Sequence, residues 1–224
     1  MVILQDGYKP HPNQELTDLF RAKPYQGAPP KDAEFLFVGL DANYHADIGS
    51  SSAFSRVKEY HKDGVAFWRN LKVHHPFLLA DYNGSGQHYH RNFARIGFKP
   101  DDACRVSFVE LLHIPTVGVS RLVVEDLDSA HLDWLGSLMK CGAKRKVFLS
   151  DQVIRLMRAS KRFNWLPKPI AQKILPQLHT DREPTFYQHL HFANWGQFRE
   201  RMTLEAEAIA RMLNDSPHSC ACNH

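Results

Sequence analysis

A three-layer α/β/α fold around a mainly parallel, four-stranded central sheet is the architecture this chain predicts, and three observations carry the expectation. Short apolar runs rich in Val and Phe recur along the sequence. Helical patterns separate them, which calls for parallel strands covered on both faces. The length of 224 residues, with 43% apolar and 23% charged side chains, suits one sizeable core.

In chain order the strands are "EFLFVGL" (34–40), "RVSFVELL" (105–112), "KVFLS" (146–150) and "TFYQHLHF" (185–192). "HYHRNFARIGF" (88–98) reads as a helix that ends at Gly97, and "DSAHLDWLGSLMKCG" (128–142) sets Leu132, Leu135, Leu138 and Met139 near one face before Gly142. The last helix is the clearest: Trp195, Phe198, Met202, Ala206, Ile209 and Leu213 recur at three- and four-residue steps after Asn194 as its cap. Pro- and Gly-rich stretches at 24–30 and 167–184 read as surface connections. Residues 1–215 form one domain on this reading, and 216–224 a flexible tail.

The longest apolar run, Phe35 to Leu40, is too short to span a bilayer, and the opening "MVILQDGYKPHPNQ" lacks the basic and apolar regions of a signal peptide. A cytoplasmic monomer without a membrane partner is expected. Cys104 and Cys141 are isolated in the body of the chain. Cys220 and Cys222, with His218 and His224, could ligate a metal, but the tail that holds them reads first as a disordered polar end. No disulfide framework, metal or other cofactor is therefore expected. A Gly-x-Ser-x-Gly elbow is absent, and "GLDANY" has no second glycine to approach a phosphate, which disfavours serine hydrolases and nucleotide-loop enzymes.

The formal charge of +4 is small but unevenly placed. Residues 144–173 carry nine Lys and Arg against one acid, Asp151, with Phe163 and Trp165 interleaved. Such a stretch suits a phosphate backbone and a stacked base, with Lys161, Arg162 and Lys168 as candidate DNA contacts, and equally suits a solvated helix face.

The first strand opens directly into polar groups, for Asp41, Asn43, Tyr44 and His45 follow Gly39 on the next turn. In a parallel sheet, ligands sit beyond the carboxyl ends of the strands, where Asp41, the end of "SFVELLHIP" and His191 should meet. Each residue alone has a plainer job. Asp41 could cap a helix, Phe54 could be core, Glu110 could pair with a buried Arg or Lys, and His191 is one of fourteen histidines.

Taken together, the set resembles the uracil-DNA glycosylase superfamily over roughly residues 33–213. Gly39, Leu40 and Asp41 match its first motif, Ala53, Phe54 and Ser55 its "AFS", and His191 the histidine that opens its final motif. The resemblance implies that Asp41 orients or activates the attacking water and that Phe54 lies against the flipped base. It implies too that His191 donates to the base carbonyl, that Asn43, Tyr44 and Glu110 help bind the base, and that Trp195 stands at the DNA-wedging position. The chemistry is coherent: breaking an N-glycosidic bond leaves cationic character on the sugar and anionic character on the base, so a carboxylate and a donor on opposite sides favour the transition state. An aromatic wall offsets the lost stacking of a flipped base.

The sequence departs from the family pattern at several points. Ala42 stands for the proline after Asp41, Asn43 displaces the tyrosine to Tyr44, and Phe192, Ala193 and Asn194 follow His191 where proline and serine belong. Glu110 replaces the asparagine that reads uracil. An ionised Glu offers only acceptors, so a base presenting donors, such as an amino-bearing one, is expected to suit it, unless burial keeps the acid protonated. The competing function is a non-catalytic protein of the same fold that binds nucleic acid or a nucleotide.

Overall fold

The computed structural model describes residues 7–118, 121–142, 144–171, 173–180 and 184–215; the tail with His218, Cys220, Cys222 and His224 lies outside the described residues. Six strands form one sheet: β1 (Tyr25–Gly27), β2 (Phe35–Gly39), β3 (Val106–Glu110), β4 (Lys146–Ser150), β5 (Gln177–Thr180) and β6 (Thr185–His189), in the order β1-β3-β2-β4-β6-β5. The central four run parallel and are the four that the apolar runs predict. The expected strand number of four is corrected to six, because β1 and β5 pair antiparallel on the two edges. Both lie in the stretches read as surface connections. An edge strand needs one partner and little apolar surface, so β5, with no buried residue, leaves no apolar run to detect.

Seven α-helices are described: α1 (Gln14–Ala22), α2 (Phe54–Lys62), α3 (Gly64–Leu71), α4 (Gln87–Ala94), α5 (Ser129–Lys140), α6 (Asp151–Ala159) and α7 (Arg199–Asn214). Alternation along β2 divides the core in two. Leu36 and Val38 join a cluster with Leu132, Leu135 and Met139 of α5 and Val153, Ile154 and Met157 of α6. Phe35 and Phe37 face the other way, into Trp68 of α3, Phe93 of α4 and Ile209 and Leu213 of α7. Helices therefore cover both faces. The chain leaves β2 toward the helices on the Phe37 side and leaves β3 toward α5 on the opposite side, so the two connections part beyond the carboxyl ends of neighbouring strands and open a crevice there.

Two sequence expectations change here. Helix α7 begins at Arg199, preceded by a short 3-10 turn over Gly196–Phe198, so Asn194 is not its cap and Trp195 does not lie on it. Trp195 is extended and 76% exposed, and its place in the apolar series is a coincidence of spacing. Cys104 is disulfide-bonded while Cys141 is a free, exposed thiol, a pairing that spacing along the chain does not encode.

The turn into β4 is fixed by a buried cation. Arg145 is 1% exposed, and its guanidinium donates to the carbonyls of Ala33 (3.1 Å), Lys31 (2.8 Å) and Leu138. Three backbone acceptors from two distant segments are satisfied by one side chain, which ties the approach to β2 to the end of α5. Replacing Arg145 with Ala strands them, and a loss of about 3 kcal/mol is expected in urea denaturation, with little change for Lys144→Ala on the exposed surface nearby.

Candidate functional site

A cavity of about 290 Å³ opens at the carboxyl ends of β2 and β3, on the Phe37 side of the sheet. Its size is near the lower end of the roughly 300–1,000 Å³ of small-molecule pockets and matches one base better than an extended ligand. Asp41, Asn43, Tyr44, Glu110 and His191 all line it. Residues up to 150 positions apart thus meet in one place, which is the convergence expected of them.

Pairing that continues past the strands positions Asp41. After β2 and β3 end, Leu111 N donates to Gly39 O, Leu112 N to Leu40 O, Thr116 N to Ala42 O and Tyr44 N to Thr116 O. This extension carries Thr116, fully buried, to Asp41, and its hydroxyl donates to Asp41 Oδ2. The Asn43 side chain donates in turn to Thr116 Oγ1 at 3.0 Å and to Gly118 O at 2.6 Å. A relay from Asn43 through Thr116 thus sets the carboxylate's orientation. No helix starts at Asp41, so the capping role does not apply.

Glu110 ends β3, two residues after Phe108, and shares that residue's face. Its register partner across the parallel ladder is Gly39. A Cβ at Gly39 would fall 1.9 Å from Glu110 Oε2, so the glycine is the space in which the carboxyl lies. Among the described residues the Glu110 side chain has no hydrogen bond and no ion pair, and no Lys or Arg lines the cavity. Burial, and secondarily the neighbouring Asp41, push its pKa up to about 8. Of the two forms the sequence leaves open, ionised or kept protonated by burial, this shift favours the protonated one.

His191 stands on the loop after β6. Its Nδ1 accepts from Ala193 N at 3.3 Å, which leaves the neutral ring's proton on Nε2. Burial lowers its pKa and Asp41 opposes the shift. Two helices hold this loop. Asn92 of α4 donates to Phe192 O (2.6 Å) and Asn194 O (3.2 Å), His88 of α4 donates to Asn194 O (3.1 Å), and Leu190 N donates to Glu205 of α7 (2.7 Å).

The aromatic wall is not where the sequence puts it. Phe54 does not line the cavity; it is buried at the start of α2 in a cluster with Leu16, Phe20, Tyr44 and Phe77. Phe77, presented by a 3-10 turn over Pro76–Leu78, lines the cavity instead, and Tyr82 stacks on it at 4.3 Å and 9°. His75 and His90 stack on each other at 3.5 Å beside it. Burial holds both well below the ordinary imidazole pKa, so this wall is uncharged. Gln26, which donates to the Tyr44 hydroxyl at 2.8 Å, and Tyr89 of α4 complete the parts that sequence reasoning missed. The one visible signal was the density of rings in "HHPFLLADYNGSGQHYH".

Trp195 lies two residues past the cavity-lining Ala193, in a shallow groove with Asn194, Gly196, Gln197 and Phe198. Lys161, Arg162 and Lys168 are not in the cavity lining. Much of the basic segment has partners within the protein: Arg145 as above, Lys146 with Glu34, Arg155 with Asp151, Arg158 with Leu166 O and Arg162 with Asp133. Lys161 and Lys168 are exposed. No group of three or more His, Cys, Asp or Glu among the described residues is arranged to hold a metal ion, and no described helix is long and apolar enough to cross a membrane.

The crevice, its two carboxyls and its histidine define the chain by fold as an α/β protein with a mainly parallel sheet and a ligand-sized site at the strand ends. Compared with known proteins, the chain matches no family model, no curated protein and no solved structure.

Glu110 has a signature in stability. Its folded pKa of about 8 lies above the ordinary 4.5, so between those values the folded state alone keeps the proton and stability falls as pH rises, levelling off above about 8. Glu110→Gln removes the ionisation. Thermal melts from pH 5 to 9 are expected to show the variant gaining on the wild type as pH rises, and parallel curves would place the carboxyl in contact with water.

Proposed function

We propose that this protein is a DNA glycosylase-like hydrolase that cleaves the N-glycosidic bond of a flipped base. The observation that carries the reading is the meeting of Asp41, Glu110 and His191 in one base-sized cavity walled by Phe77. It agrees with the resemblance to the uracil-DNA glycosylase superfamily and differs from it in the wall, which Phe77 supplies in place of Phe54. The base enters between Phe77 and the strand ends, and its ring contacts offset the stacking lost on flipping. Asp41, oriented by Thr116, directs a water at the sugar carbon and stabilises the cationic sugar as the carbon–nitrogen bond breaks. The water oxygen bonds to that carbon and its proton leaves through the carboxylate. The His191 Nε2–H donates to the base carbonyl as the bonding electrons pass to the base, and a neutral imidazole performs this without surrendering its proton. Trp195, exposed two residues past the cavity-lining Ala193, fills the gap left in the duplex.

A panel of duplex and single-stranded oligonucleotides carrying uracil, hypoxanthine, xanthine and oxidised pyrimidines, assayed for abasic sites, tests the activity. Asp41→Asn is expected to lower cleavage at least about a hundredfold while leaving oligonucleotide binding in place. Binding without abasic-site formation from any substrate would favour a non-catalytic nucleic-acid or nucleotide-binding protein.

The wedge has its own readout. Trp195→Ala is expected to weaken duplex binding by roughly 1–3 kcal/mol and single-strand binding by less, since only a duplex presents a stack to fill. Equal losses on both, measured by fluorescence anisotropy at fixed salt, would make Trp195 a stacking platform rather than a wedge.

A further inference from the structure

Residues 7–13 precede every strand of the sheet, yet they pair with the loop that orients Asp41. His11 N donates to Pro115 O (2.9 Å), Val117 N to Lys9 O (3.0 Å) and Arg121 N to Gly7 O (3.1 Å). Thr116 therefore lies between two backbones, bridged to Asn43 in parallel and to Pro10 antiparallel. Its own amide and carbonyl serve Ala42 and Tyr44 on one side, while its neighbours Pro115 and Val117 serve this strap on the other. The His11 side chain then crosses to the Asp41 side. Its ring is buried, accepts from Asn13 N at Nδ1 (3.0 Å) and donates from Nε2 to the carbonyl of His45 (2.9 Å), on the loop that follows Asp41. It also meets the Tyr44 ring edge to face at 6.4 Å. One imidazole thus ties the strap to the loop after β2, while the strap's backbone holds the loop after β3. Asn13 fixes the far end of the strap, since its side chain caps α1 by accepting from Leu16 N at 2.8 Å.

We propose that this strap belongs to the working site, with His11 as a positioning residue that holds Asp41 in the cavity without touching the substrate. Beyond Leu112 the two loops meet through Thr116, whose N–H donates to Ala42 O and whose carbonyl accepts from Tyr44 N. A short irregular pairing of that kind opens readily unless its outer edge is held. The strap holds that edge, and His11 closes it back onto His45. Removing the ring leaves the His45 carbonyl and the Asn13 N–H without these partners, and the loops part more often. The Thr116 hydroxyl then loses its fixed place on Asp41 Oδ2. A carboxylate that directs a water is sensitive to such a shift, because only the aligned geometry reaches the transition state. Binding is spared, since Phe77 is presented by its own 3-10 turn and Glu110 by β3. The catalytic consequence rests on the reading of the cavity as a glycosylase site; the placement of Asp41 does not.

Three substitutions separate the two bonds of the ring. In His11→Gln the amide N–H reaches the place of Nε2 and keeps the bond to His45 O; in His11→Asn the shorter side chain keeps an acceptor near the place of Nδ1 and loses that bond. His11→Ala removes both. Val153→Ala, in α6 on the opposite face of the sheet, is the control that lowers stability away from the site. In the abasic-site assay, His11→Ala and His11→Asn are expected to lower kcat roughly 10- to 100-fold with KM within about twofold. His11→Gln recovers most of the loss, and Val153→Ala leaves kcat unchanged. In the free protein, hydrogen exchange of the Thr116 and Tyr44 amides is expected to quicken about tenfold in the Ala and Asn variants, the scale of one lost hydrogen bond, with the Leu111 and Leu112 amides unaffected. In the same variants the Asp41 ¹³Cγ resonance at pH 7 moves toward its position in Thr116→Val. A loss in KM alone, a kcat unchanged by His11→Ala, recovery by Asn rather than Gln, or amides and an Asp41 resonance that follow the Val153→Ala control overturns the proposal. Should His11→Ala fail to fold, the Gln and Asn pair makes the same comparison. If the wild type cleaves no oligonucleotide, the glycosylase reading falls, and the exchange and resonance measurements alone decide this inference.

Discussion

The parallel pairing of β2 with β3 is the constraint on which the site depends. It sets Gly39 opposite Glu110, and hydrogen bonds that continue through Ala42, Tyr44 and Thr116, with a shift of register after Leu112, carry two otherwise irregular loops side by side past the sheet. Backbone hydrogen bonds do the positioning, so the polar side chains need not hold the loops together. Asp41 receives its orientation from Thr116 because the ladder brings that hydroxyl to it, and Glu110 stays unpaired because the ladder places a glycine, not a partner, across from it. The two carboxyls thus sit half-buried in one cavity with different partners: Asp41 accepts from Thr116, while no hydrogen bond to the Glu110 side chain is found among the described residues.

The remainder of the cavity is built from rings rather than charges. His75, Phe77, Tyr82 and His90 stack or meet edge to face, with no lysine or arginine in the lining. Such a wall leaves the potential inside to Asp41, Glu110 and His191. The positive charge of the chain is disposed elsewhere, much of it in internal pairs such as Arg105 with Glu34 and Asp102 or Lys146 with Glu34.

What could be read from the residues followed from how local each signal is. The four central strands were legible because burial on both faces leaves unbroken apolar runs, and Asp41, Glu110 and His191 were legible because the carboxyl end of a buried strand is a fixed place in a parallel sheet. The edge strands were not, since β1 is three residues long and β5 buries none. Phe54 stands in the motif, but which ring faces the cavity depends on how the turn over Pro76–Leu78 folds back against Tyr44, a tertiary fact without a spacing rule. The basic segment misled for a similar reason. Glu34 and Asp133, which neutralise Lys146 and Arg162, are remote in sequence, so a run of cations looked unpaired. Trp195 fell on a helical period by chance, and the glycine after it, at φ 63°, begins a different turn.

The two sides of helix α4 have different attachments. Tyr89 and His90 face the cavity, while His88 and Asn92 grip the carbonyls of Phe192 and Asn194 beside His191. Eight residues make both the wall and the latch. An outward swing of this helix would strain those bonds and loosen the histidine loop in the same movement, so the wall of the cavity and the alignment of His191 are mechanically tied.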